Sequence, residues 1–139
     1  MATVVEIANA IVSALNGRSW SMPFTATHSY LPRHSLGDFE EIKVTVVARS
    51  VRIEDASRGT AQLVYVYDIA FQKRVDEAET EDVLNLVEEV IVFLSSEALP
   101  GYPQAKVGDI QNDPPYLIEH LEDFRVLTSV VTVEYEVWR

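Results

Sequence analysis

Residues 124–139 read FRVLTSVVTVEYEVWR, and the fold turns on how this stretch is read. It holds no glycine and no proline and is dense in β-branched and aromatic residues, the composition of one long strand. At period two, Leu127, Val131, Val133, Tyr135 and Val137 share one face. Thr128, Thr132, Glu134 and Glu136 share the other, with Val130 and Trp138 among them. A strand with one such apolar face must be covered. The rest of the chain therefore has to supply neighbouring strands and a helix layer.

The strands come first. Residues 41–53 alternate Ile42, Val44, Val46 and Ala48 against Lys43, Thr45, Val47 and Arg49, and residues 61–75 repeat the pattern. There Leu63, Tyr65, Tyr67, Ile69 and Phe71 take the apolar face, against Gln62, Val64, Val66, Asp68 and Gln72. The polar cluster between them, residues 54–60 (EDASRGT), predicts a long antiparallel hairpin joined by a loop longer than a tight turn. A shorter strand or extended arm is expected over 24–30, before Pro32 and Gly37 interrupt it, and another over 105–110.

Two helices supply the cover. Over Thr3–Asn16 the residues Val4, Ile7, Ala8, Ile11 and Leu15 form one stripe, Thr3 with Glu6 fits a capping box, and Gly17 is a stop signal. Residues 76–98 make the long central helix. Asp76 is its N-cap with Glu79 three residues on, and Leu99-Pro100-Gly101 ends it. Its band of Val83, Leu84, Leu86, Val87, Val90, Ile91, Phe93 and Leu94 is wide enough to predict cover on more than one side, by the sheet and by another subunit. A turn at 112–115 and a single helical turn at 116–123 precede the final strand. Strands clustered in a hairpin, without regular βαβ alternation, give an α+β fold: a largely antiparallel sheet packed against a short N-terminal and a long central helix, one domain over 1–139.

Composition narrows the chemistry. With no cysteine, disulfide frameworks, thiol nucleophiles and thiolate metal sites are excluded. The formal charge of −11 opposes any sequence-independent grip on nucleic acid or an anionic membrane. No apolar run approaches the roughly 20 residues that span a bilayer. Glu6 and Asn9 break the first apolar run, so a soluble chain without a signal peptide, made in the cytosol, is expected. The glycines are scattered singly, and neither a phosphate-cradling loop nor a Gly-x-Ser-x-Gly elbow is present. His28 and His34 have no metal-ligand spacing. His120 beside Glu119 and Asp123 could make a carboxylate-rich metal site, but in so acidic a chain a carboxylate near a histidine is expected by chance. Adjacent pairs such as Glu40–Glu41 and Glu88–Glu89 point to different faces and do not form an acid–base couple. No catalytic, cofactor-binding or metal residue is assigned.

Contact residues are the better candidates. Arg49, Arg52 and Arg58 flank the hairpin tip, where they either pair with acidic surface on a neighbouring copy or serve as ordinary polar edge residues. Val64, Val66, Val130 and Trp138 fall on the face a two-layer fold leaves to water, which marks that face as an intersubunit surface.

The order of parts resembles a known family. A capped helix, the strand pair KVTVVARSVRI and LVYVYDIAFQKRV, the helix EDVLNLVEEVIVFL, the turn NDPPY with Leu121 after it, and the strand FRVLTSVVTVEYEVWR together look like the small tail-terminator or tail-completion proteins at the head–tail junction of tailed bacteriophages. The likeness spans nearly the whole chain and rests on order and pattern. It implies a non-enzymatic structural protein of the virion, assembled in the host cytoplasm, needing no cofactor and touching no membrane. Its implied partners are further copies of itself in a ring, commonly a hexamer, the tail tube protein, and a neck or connector protein of the head. DNA would pass through the ring without specific binding. The alternatives are another neck or minor tail component of the same fold, a small soluble binding module with a pocket beside the sheet, and a metal-dependent enzyme built on His120.

Overall fold

The computed structural model describes residues 2–30, 41–57, 59–113 and 115–138. His34 and Arg58, both singled out above, lie outside them. Along the chain run α1 (Thr3–Asn16), β1 (Ala26–His28), β2 (Lys43–Ser57), β3 (Thr60–Arg74), α2 (Glu77–Ser96), β4 (Lys106–Gln111), α3 (Ile118–Phe124) and β5 (Val126–Trp138). The strands form one sheet in the order β1-β2-β3-β5-β4. Every neighbouring pair is antiparallel except β1 with β2. The fold is α+β, as the sequence predicts.

The final strand lies inside the sheet, between β3 and β4. β5 pairs with β3 without interruption from Gln62↔Trp138 to Arg74↔Val126, so its period-two pattern survives intact. Leu127, Val131, Val133, Tyr135 and Val137 are all buried, in one core with Tyr65, Tyr67, Ile69 and Phe71 of β3 and Val44 and Val46 of β2. Both helices close this face, α1 lying over β1 and β2 and α2 over β5 and β4. Burial of five large apolar side chains along β5 alone, each contributing about 1.5–3 kcal/mol, makes it the strand around which the layers form. The loop after α2 passes so close to α1 that a Cβ on Gly101 would sit 3.2 Å from the Ala10 Cβ.

Four local expectations change. First, the hairpin loop is short. β2 and β3 run on until Ser57 pairs with Thr60, leaving only 58–59 between them, with Gly59 at φ +87°. A polar EDAS run fits an exposed ribbon as well as a loop, and a glycine in the positive-φ region permits the tight connection. Second, the capping box does not form. α1 begins one residue earlier than a Thr3 cap requires, with Ala2 as N-cap and no side-chain cap bond. The Asp76 cap of α2 does form, its Oδ1 accepting the Glu79 N–H at 2.9 Å. Third, the single turn expected at 116–123 is a seven-residue helix, α3, which makes three helices among the described residues. It ends on Arg125 in the left-handed region (φ 57°, ψ 28°). Fourth, β2 is bulged. Its register with β3 shifts between Ala48 and Ser50 and again between Ile53 and Asp55. Because side chains alternate, the first bulge inverts the faces, turning Val51 and Ile53 to the helix side and Arg52 to the other.

Candidate interaction surface

The side of the sheet away from α1 and α2 is a lattice of ion pairs. Arg52 sits opposite Val64, and Glu134 opposite Val66, on the two strands that flank β3. The Arg52 guanidinium reaches across β3, donating to Glu134 Oε1 at 2.8 Å, while its Nε donates to Glu54 Oε1 at 2.7 Å. These bonds, Glu54 first and Glu134 second, raise the Arg52 pKa further above its ordinary value. Beside it Thr132 Oγ1 donates to Asp68 Oδ1 at 2.7 Å, and Arg49 Nη1 lies 3.6 Å from the same carboxylate oxygen. Arg49, Arg52, Val66, Asp109, Thr132 and Glu134 all border one recess of about 220 Å³.

This lattice corrects the reading of two valines. Val64 and Val66 lie on the predicted face, but they are only 1% and 5% exposed. They stand on the central strand, Val64 between Arg52 and Glu136 and Val66 between Ser50 and Glu134, and the stems of such long side chains cover apolar surface while the charged ends stay in water. Their coverage is supplied within the chain, so it calls for no second subunit. Arg49 and Arg52 likewise find acidic partners in their own chain. Val130 is half-buried beside Ala70, its carbonyl accepting from Asn112 Nδ2 at 2.9 Å. Trp138 is 60% exposed, at the tip end of the sheet opposite Gln62.

Two residues the sequence reading did not single out complete the surface. Val51 and Ile53 are 48% and 65% exposed on the helix side, where the hairpin extends past its helix cover. Their signal was present. In RSVRI the apolar residues sit at odd numbers, out of phase with Val44 and Val46, which is what a bulge at Arg49 produces. The tip thus shows apolar groups on both faces, Val51 and Ile53 on one and Trp138 on the other, around an ion-paired strip.

Two other clusters have local roles. Arg18 stacks over Trp20 and Phe93, 5.3 and 4.9 Å from their ring centres. Trp20 Nε1 donates to Leu15 O at 2.8 Å, which ties the strap back to α1, and its ring meets Phe93 of α2 edge-on at 5.4 Å. A cleft of about 380 Å³ opens beside Arg18 along Glu88, Glu89 and Val92. His120 Nδ1 lies 2.8 Å from Thr128 Oγ1. Among the described residues no group of three or more His, Asp or Glu is placed to hold a metal ion, and the side chain of Asp123 lies outside them. His28 packs its ring 4.8 Å from that of Tyr30.

No protein-family model matches the chain, and no curated protein does. Among solved structures it is similar to the sheath/tube terminator of PVC, an extracellular contractile injection system, in its extended state. The TM-score is 0.57 at 13% identity, and the match covers all of this chain and 57% of that one. The chain therefore spans little more than half the length of the terminator it matches. The likeness establishes a shared fold.

Proposed function

We propose that the protein is a tail terminator, a structural subunit that assembles into a ring on the end of a tail tube in a phage-tail-like particle. The observation that carries this reading is the match of the whole chain to a sheath/tube terminator. The overhanging hairpin supports it. Exposed Val51, Ile53 and Trp138 at one end of the sheet are costly to a lone monomer and useful to a subunit that meets the next copy. The role is one of assembly, without catalysis.

The finer assignments belong to the same proposal: a hexameric ring, the tube protein below it, a neck or connector protein above it, and DNA sliding through without being held. The acidic balance supports the last of these, since a net charge of −11 repels a phosphate backbone. A neck or minor tail component of the same fold is the second reading, favoured by the same surface.

Native mass measurement together with co-sedimentation on purified tail tubes tests the proposal. A closed ring that caps tubes and stops their growth is the expected result. A chain that remains monomeric at high concentration and ignores tubes would sink it.

A further inference from the structure

Among the described residues, the five-stranded sheet ends in two different open edges. β1 pairs with β2 only at Val44, Thr45 and Val46, with one further bond from Ser29 N–H to Val46 O. Among the described residues, the outer side of β2 beyond Val46 has no backbone partner. At the far side β4 pairs with β5 alone. Each edge presents a row of N–H and C=O groups able to take another strand.

We propose that the free edge of β2 near the hairpin tip pairs antiparallel with β4 of a second copy, with Val51 opposite Ile110. In that register Asp109 falls opposite Arg52 and Gln111 opposite Ser50. Opposite charges meet at the first pair, polar side chains at the second, and two aliphatic residues at Val51 and Ile110. The faces agree as well. Ile110 pairs with Val133 on the helix side, where Val51 also points through its pairing with Tyr65. Asp109 borders the open-face recess that Arg52 borders. Each strand carries one register shift in this span, between Val107 and Ile110 in β4 and between Ile53 and Asp55 in β2, so both edges invert their faces over the same stretch.

Direction supplies an independent check. β2, β3, β5 and β4 alternate in direction, so β4 runs opposite to β2 within one chain. Rotation about an axis along the strands preserves direction and keeps helix side to helix side. The next copy's β2 therefore meets β4 antiparallel, as the match of side chains demands. The contact joins two different edges, so it is heterologous: it closes into a ring where the rotation per subunit divides a full turn and otherwise runs on as an open filament. Charges that guard an edge against indiscriminate pairing select a partner when the facing edge carries their complement. Only the closure into a ring rests on the terminator reading. The edge pairing stands on the strands themselves.

Disulfide trapping in the full chain tests the register, with no native cysteine to interfere. Within one chain, positions 51 and 110 are separated by β3 and β5, about 14 Å at the usual strand spacing, so a bond between them must join two copies. The Val51→Cys/Ile110→Cys variant should convert the monomer band into a ladder of linked multimers on mild oxidation. The shifted pair Ile53→Cys/Ile110→Cys should leave most of it monomeric. Asp109→Lys, which sets two cations opposite each other, should weaken self-association while the circular dichroism spectrum is unchanged. Rings by native mass with equal trapping in both registers, or with none, overturn the edge pairing and leave the terminator reading intact. In-register trapping without tube capping supports the pairing and counts against the terminator. Monomer under all conditions overturns both.

Discussion

The two ends of the β2–β3 hairpin are built from the same kind of sequence and meet different fates. At the base, Val44, Val46, Ile69 and Phe71 are shut beneath α1 and α2. At the tip, Val51 and Ile53 face the same side with the same β-branched chemistry, yet about half of Val51 and two-thirds of Ile53 are left bare. Local propensity cannot separate the two. What separates them is helix length, because a long ribbon outruns the layer that covers it. A strand segment that persists beyond its own cover is stabilised by its partners in the sheet alone, and it is the place where a subunit can offer surface without weakening its core.

The largest expected effect sharpens that contrast. Phe71→Ala removes a fully buried ring at the base and should destabilise the chain by about 3–5 kcal/mol. Ile53→Ala at the tip should change monomer stability by no more than about 0.5 kcal/mol. Urea unfolding at low protein concentration, where self-association does not contribute, measures both. Comparable losses at the two sites would mean that the tip is part of the folding unit, and the division between core and contact surface would fail.

How much of this was readable beforehand follows the same division. The faces of β5 were legible to the residue because its ladder with β3 is unbroken, so alternation in sequence is alternation in space. β2 was legible only as far as Ala48. Its bulge at Arg49 inverts the faces, and a reading that stops at Ile53 takes EDAS for a loop and misses the overhang. Val64 and Val66 illustrate another limit. Their side of the sheet was right, but their burial depends on Arg52 crossing a strand to Glu134, a contact between residues 82 apart. The stacking of Arg18 on Trp20 and Phe93 lies in an aperiodic strap and left no periodic trace. Residue chemistry alone pointed to no function; the proposed one rests on the order of elements and on the structural likeness.

Two fully buried tyrosines differ in how their hydroxyls are met. Tyr67, nearer the base, donates its hydroxyl to Val4 O at 2.7 Å. Tyr135 pairs with Tyr65 a step closer to the tip, and its buried hydroxyl has no hydrogen-bond partner among the described residues. Burial pushes both phenols well above their ordinary pKa. The sign follows from linkage. Folded phenols stay protonated while unfolded ones ionise near pH 10, so stability is fully present below about pH 10 and falls above it. Each tyrosine contributes a slope of about 1.4 kcal/mol per pH unit there. The Tyr67→Phe/Tyr135→Phe double variant should flatten that alkaline limb. At pH 7 the singles should diverge: Tyr67→Phe costs about 1 kcal/mol for its lost hydrogen bond, whereas Tyr135→Phe is neutral or stabilising. A clear loss in Tyr135→Phe would show that its hydroxyl makes a stabilising hydrogen bond.

The smallest effect belongs to the base, at the joint between α3 and β5. Arg125 is a non-glycine residue in the left-handed region, exposed, with its carbonyl accepting the Val75 N–H at 2.9 Å and its own N–H bonded to Leu121 O. The backbone bonds, not the side chain, set its conformation, and that conformation costs an L-residue about 1–2 kcal/mol. Glycine removes the strain and keeps both backbone bonds, but it also loosens the unfolded chain by up to about 1 kcal/mol. Arg125→Gly should therefore be neutral or raise stability by no more than about 1 kcal/mol, read from the midpoint of thermal or urea unfolding. A loss larger than that would place stabilising contacts on the arginine side chain itself. The base would then owe part of its rigidity to an exposed residue, and burial would no longer be enough to tell the two ends of the hairpin apart.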